Sequence, residues 1–206
     1  MFEKLALTEK EDRALLAELE KEATRRALTE PLSYRPATEA DMADILRIVS
    51  DSRASLRRHH VDQWQGPYPA AEHFRFDMDR GECFVVLHGA EVAAFFTLST
   101  REEETYAGIT DGKWTEGMAC CVLHRAAVAG EYRGSGLADA LIRFVEEQCR
   151  LFGLRCIRTD THKKNKAMQN LLREHGFRYR GNLKILCEPG HDDARQAYEK
   201  ILKDRK

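Results

Sequence analysis

A mixed α/β domain is the fold class this sequence predicts, and three observations predict it. Short apolar runs such as Glu82–His88 and Glu91–Thr100 read as strands. Longer segments with apolar residues three and four apart, such as Leu137–Phe152, read as helices. Their order is a hairpin of strands followed by strand–helix–strand–helix–strand, which builds one sheet flanked by helices. The 206 residues suit one compact domain with an extension.

The elements follow in order. Thr8-Glu-Lys-Glu11 is a capping box, and Leu15, Leu19, Ala23 and Ala27 share one face until Pro31 stops the pattern, giving a helix over about residues 8–29. Its other faces are dense with charge, so a narrow seam packs on the body or on a second subunit, as in a homodimer. Residues 1–31 are thus an N-terminal helical extension, and the domain proper runs over 32–206. Leu32–Arg35 is a short strand, and the cap Thr38-Glu-Ala-Asp41 starts a helix with Ile45, Leu46 and Val49 inward. From Ser52 to Arg80 the pattern is helical but broken by Gln65-Gly-Pro-Tyr-Pro69. The next two strands are joined through Gly89, and Thr105–Gly117 is a turn-rich insertion of the kind that lines a site. Met118–Val128 and Leu154–Thr159 are buried strands, with the Leu137–Phe152 helix between them. Asn165–His175 is a helix that Gly176 ends. Phe177–Tyr179 and Leu183–Cys187 read as a last strand pair, and Asp192–Leu202 as a closing helix.

Composition removes several classes of function. Charged residues are 33% of the chain, yet the net charge is −1, so no broad field favours nucleic acid or an anionic membrane. No apolar run approaches the roughly 18–20 residues of a membrane span, and the N-terminus lacks the order of a signal peptide, which predicts a cytoplasmic protein. Six cysteines without C-x-x-C spacing read as buried reduced thiols, and eight histidines without ligand spacing predict no metal.

The chemistry is concentrated in Val128-Ala-Gly-Glu-Tyr-Arg-Gly-Ser-Gly-Leu-Ala138. A strand that passes through two glycines into a helix aims free backbone N–H groups and the positive end of the helix dipole at one point, which suits a phosphate. The turn contains Arg133-Gly-Ser-Gly136-Leu-Ala138, a match to R/Q-x-x-G-x-G/A. It lacks the Walker lysine, and Asp139 stands where a dinucleotide fingerprint needs its third glycine. About thirty residues on, Asn165-Lys-Ala-Met168 and Leu171-Leu172 precede His175-Gly-Phe177.

With both motifs in this order, the sequence resembles the GNAT superfamily of N-acetyltransferases over about residues 32–188. The runs Gln63-Trp-Gln-Gly-Pro-Tyr, Asp111-Gly-Lys-Trp and His124-Arg-Ala-Ala-Val are similar to a subgroup of small bacterial acetyltransferases whose acceptor is often unknown. The resemblance implies a mostly antiparallel central sheet whose strands 118–128 and 154–160 splay apart to admit a thioester. It implies acetyl-CoA as donor, with the strand backbone at Ala126, Ala127 and Val128 along the pantetheine arm. The amides of Arg133, Gly134, Ser135, Gly136, Leu137 and Ala138 would hold the pyrophosphate. Asn165 would bond the cofactor arm or simply cap its helix.

Attack of an amine on a thioester needs a base, donors for the oxyanion and a proton for the thiolate. His124, on the strand under the thioester, is a candidate base, directly or through water, or a core or surface histidine. Asp160 could orient an ammonium or act as base, or be a helix-preceding cap or a solvated acid. Many family members carry a tyrosine where this chain has Leu172, so the acid would be Tyr179, Tyr132 or water, or none is needed. For the acceptor, Trp64, Tyr68 and Trp114 lie in loops over the site, as binding rings or as loop anchors. Arg53, Arg57, Arg58, His59 and His60 form a basic cluster, either recognising an anion or making a solvated face. The expected reaction is direct acetyl transfer in a ternary complex to a primary amine of a small molecule. A peptide or protein amine is the alternative, as is a non-catalytic acyl-CoA sensor.

Overall fold

The computed structural model describes residues 27–185 and 191–203. The N-terminal helix expected over 8–29 falls almost wholly outside them. Seven strands form one sheet in the order β1-β2-β3-β4-β5-β7-β6: β1 Leu32–Pro36, β2 Cys83–His88, β3 Glu91–Ser99, β4 Cys121–Val128, β5 Cys156–His162, β6 Arg178–Lys184 and β7 Ala194–Ile201. Among the described residues the α-helices are α1 Met42–Arg58, α2 Ala71–Met78, α3 Leu137–Leu151 and α4 Lys166–Glu174. Every strand pair is antiparallel except β4–β5. This is the mixed, mostly antiparallel open sheet that the sequence predicts.

Burial explains the layout. β2 and β3 are apolar over Cys83–Leu87 and Val92–Phe96 because both faces of the sheet are covered there, and Phe84, Phe95, Phe96 and Leu98 are at most 3% exposed. α1 contributes Ile45, Ile48 and Val49 to that core, and α3 contributes Leu141, Ile142, Val145 and Cys149. Alternation along β4 sends Cys121 and Leu123 to this core, and Val122 to a second, smaller one with Tyr106, Leu183 and Ala197. Thr38 and Asp41 close the expected capping box before α1, and Arg35 grips Asp41 with two bonds of 2.8 Å. That guanidinium holds the Asp41 carboxyl down at about 2.

Three expectations are corrected. Residues 194–201 are strand β7, inserted between β5 and β6, and not a closing helix. Its charged residues Arg195 and Glu199 are 6% and 1% exposed, so its polar positions do not mark a solvent face. Glu199 is neutralised by Arg158 and Arg180 at 3.1 and 2.8 Å. Instead of separate strands at Phe177–Tyr179 and from Leu183, the described residues form one strand β6 that runs through a bulge at Gly181, and the expected end at Cys187 lies outside them. There a Cβ would lie 2.5 Å from the Thr110 carbonyl oxygen, so the glycine is needed for close approach of the insertion rather than for a turn. Finally, Cys120 and Cys156 form a disulfide, while Cys83, Cys121 and Cys149 are free and buried. The bond ties the residue before β4 to the first residue of β5.

Candidate active site

The parallel pairing of β4 with β5 lasts for three registers only: Cys121 with Ile157, Val122 with Arg158, and Leu123 with Thr159. Beyond them the strands part. Thr159 seals the bottom of the fork by donating its hydroxyl to the Leu123 carbonyl at 3.0 Å. The first residues past the join are His124 and Asp160, and both line a cleft of ≈ 810 Å³ that opens from the fork. Above His124 the left-handed φ of 42° at Arg125 marks a bulge, where β4 slips register against β3 between Phe95 and Thr97. The bulge frees β4 from strict alternation and turns Arg125 toward Asp77 of α2, 2.7 Å away. Asp77 also accepts from Thr97 at 3.0 Å. Burial pushes its carboxyl up against the pull of Arg125.

The floor of the cleft is acidic and aromatic. Tyr106, in a short helical turn over Glu104–Gly108, donates its hydroxyl to Asp160 Oδ1 at 2.8 Å. Behind it Trp114 stacks on the Tyr106 ring at 5.2 Å and donates Nε1–H to the Tyr106 carbonyl at 2.9 Å. Burial raises the Asp160 carboxyl, opposed by the Tyr106 hydroxyl and the Arg195 guanidinium 3.9 Å away. Burial and the neighbouring Arg125 charge push the His124 imidazole down to about 4, opposed by Glu103. His124 is therefore neutral near pH 7, and its Nε2 lies 3.6 Å from Glu103 Oε2.

The glycine turn has the backbone form that the sequence suggests. Gly134 and Gly136 take φ of 77° and 88°, and Gly136 is the N-cap of α3. The N–H groups of Arg133 and Ser135 are spent on Gly130 and Tyr132 carbonyls. Those of Gly134, Gly136, Ala138 and Asp139 have no backbone acceptor among the described residues. Unsatisfied amides at a helix start, beside Arg133, fit a pyrophosphate. Ala126, Ala127, Val128 and Arg133 line the cleft, whereas Gly134, Ser135, Gly136, Leu137 and Ala138 lie outside its lining. Asn165 lines it too, and its Oδ1 accepts from Met168 N at 3.3 Å, the capping role for α4.

A strap over residues 59–70 crosses the fork. Gln63 Oε1 accepts from His162 N, Thr161 Oγ1 and Asn165 Nδ2 at 3.3–3.4 Å, filling the gap that the parting strands open beside β5. Trp64 and Tyr68 of the strap line the cleft as the sequence suggests. Two residues of the basic cluster brace the strap: Arg53 donates to the Pro67 and Pro69 carbonyls, and Arg57 to Gln65 Oε1. Trp114 is absent from the lining and supports Tyr106 from behind. Tyr179 is also absent; on β6 it is 45% exposed and bonded to Asn182 at 2.9 Å. Tyr132 is buried, donating to Glu91 at 3.0 Å, and Leu172 is fully buried. Sequence reading missed Tyr106, Glu103 and the Arg125–Asp77 pair. A turn-rich insertion has no periodicity to show which of its side chains turns inward.

The family model described as "Acetyltransferase (GNAT) family" matches residues 53–177. No curated protein matches the sequence. Among solved structures, an acetyltransferase of the GNAT family from Streptococcus agalactiae is 28% identical with a TM-score of 0.76, covering 84% of this chain and 96% of its own. An N-acetyltransferase from Staphylococcus aureus shares the fold at 19% identity and a TM-score of 0.61, covering 84% and 100% of the two chains. A Salmonella typhimurium protein solved with its cofactor acetyl-CoA does so at 14% and 0.60, covering 84% and 95%. A fork above a three-residue parallel join, next to a glycine turn with unspent amides, is thus found in a chain that belongs to the GNAT family of acetyltransferases.

Proposed function

We propose that residues 32–206 transfer an acetyl group from acetyl-CoA directly to the primary amine of a small molecule, in a ternary complex. The observation that carries this reading is the convergence of His124, Asp160 and Tyr106 at the fork, in the same cleft as Ala126–Val128. Acetyl-CoA supplies an activated acyl group. The amides around Gly134–Ala138 and the side chain of Arg133 would hold its pyrophosphate, and the open edge of β4 at Ala126–Val128 would pair its amide-bearing arm.

The chain's own groups divide the remaining work. Asp160, fixed by Tyr106, orients the acceptor ammonium through its carboxylate. His124, neutral near pH 7, accepts a proton from that ammonium so that a free amine can attack. No phenol occupies the position of Leu172, and Tyr179 and Tyr132 are outside the cleft. A thiolate is a good leaving group, so water suffices to protonate it. A cleft of ≈ 810 Å³, covered by the strap and by Arg101–Tyr106, favours a small acceptor over a folded protein surface.

The test is release of free thiol from acetyl-CoA over a panel of small amines, amino acids and short peptides. Turnover with small amines supports the reading, and turnover with peptides alone favours the peptide alternative. Tight acetyl-CoA binding without thiol release from any amine would identify a sensor instead.

A further inference from the structure

We propose that Glu103 is the proton outlet of the reaction, taking from His124 the proton that His124 removes from the acceptor. This rests on the reading of His124 as base.

Proton balance requires an outlet. When an ammonium R–NH₃⁺ becomes an amide R–NH–CO–CH₃, a C–N bond forms, the C–S bond breaks with its electron pair on sulfur, and nitrogen loses two protons. The departing thiolate takes up one. The other must reach solvent from a fork where the side chains of His124 and Asp160 are only 20% and 17% exposed.

His124 cannot keep it. Its surroundings hold the imidazole at about 4. The groups facing it are Glu103, the Arg125, Arg101 and Glu82 charges, and the Tyr106 ring, whose centroid lies 6.5 Å away. Of the carboxylates among the described residues, Glu103 alone lies within ion-pair distance of the ring, at 3.6 Å from Nε2. The geometry of Glu103 suits relay rather than charge storage. Its Oε1 is pinned by Thr105 N and Thr105 Oγ1 at 3.3 and 2.8 Å, which fixes Oε2 toward His124. It makes no Lys or Arg ion pair among the described residues. Side-chain exposure rises outward, from 20% at His124 to 31% at Glu103. In the relay, the acceptor's proton enters at His124 Nδ1 while the one on Nε2 passes to Glu103 Oε2, once the 3.6 Å gap closes to hydrogen-bond length, and on to water.

The experiment pairs Glu103→Gln with Glu103→Ala. Glutamine keeps a carbonyl oxygen for the Thr105 cap but cannot carry the proton, so kcat should fall about 10- to 100-fold near pH 7 with KM for acetyl-CoA unchanged. In series, the double variant Glu103→Gln/His124→Ala should be no slower than His124→Ala alone. Formate should restore part of the activity of Glu103→Ala. Independently of turnover, ¹⁵N NMR of the free protein should show His124 as the neutral Nε2–H tautomer, with that preference weakened in Glu103→Gln. Full kcat in Glu103→Gln, additive losses in the double variant, or an Nδ1–H tautomer would each overturn the relay. If the wild-type protein turns over no amine, the functional reading fails first, and the tautomer still reports on the His124–Glu103 contact.

Discussion

Replacing Tyr106 by phenylalanine removes one hydroxyl and leaves the ring stacked on Trp114. The lost group donates to Asp160 Oδ1 at 2.8 Å, in a site where burial already favours the neutral acid. A hydrogen bond to a charged acceptor contributes about 1.5–3 kcal/mol. One pKa unit corresponds to about 1.4 kcal/mol, so the Asp160 carboxyl should rise by about 1–2 units. The sign follows from which form the bond favours. The hydroxyl stabilises the carboxylate, so its loss makes protonation easier and the ionised form appears only at higher pH. In the proposed function Asp160 orients the ammonium in its ionised form, so the acid limb of kcat/KM should move upward by about 1–2 pH units, with the alkaline plateau largely kept. Thiol release measured from pH 5 to 9 on both proteins reads this directly. Coincident acid limbs would refute the role of Tyr106, and so would a loss equal at every pH, which would point to packing alone.

Three further outcomes are expected. Gly136→Asp should lower coenzyme A affinity at least 100-fold by calorimetry, while Gly136→Ala should mainly cost about 1–2 kcal/mol of stability, since φ is 88° and no atom lies within 4 Å of the new Cβ. Trp114→Ala should cost about 3 kcal/mol in denaturant unfolding, because Trp114 backs Tyr106 and carries Arg158 4.8 Å above its ring, and acetyl transfer should fall with it. His124→Gln should flatten the pH dependence of stability between about 6.5 and 4. A histidine held at about 4 binds its proton more readily unfolded, so as pH falls through this window the wild type loses about 3 kcal/mol that the variant keeps. Parallel stability profiles would show that His124 does not carry the shift.

What could be read in the sequence was whatever a local pattern specifies. β2 and β3 declare themselves because sheets covered on both faces need uninterrupted apolar residues, and Gly136 because a left-handed N-cap excludes most side chains. His124 and Asp160 were legible as positions on two strands, though not the three-register join that makes them neighbours. β7 was illegible because Arg195 and Glu199 look like solvent residues, and only tertiary ion pairs let them be buried. The same blindness hid Tyr106, whose role depends on Asp160, 54 residues away. Trp114 was noticed for its size, yet its ring faces the back of the site.

The short join between β4 and β5 also has a consequence for solubility. Above it, two strands in the middle of the sheet present unpaired backbone edges, the kind of template on which another chain can add a strand. Gln63 blunts the β5 edge by accepting the His162 amide with its carboxamide oxygen. On the proposed function, the β4 edge over Ala126–Val128 is covered by the extended, amide-bearing arm of the donor. On that proposal the same three residues would serve ligand binding and protection from aggregation, so shielding from strand addition should be greatest when the cleft is filled.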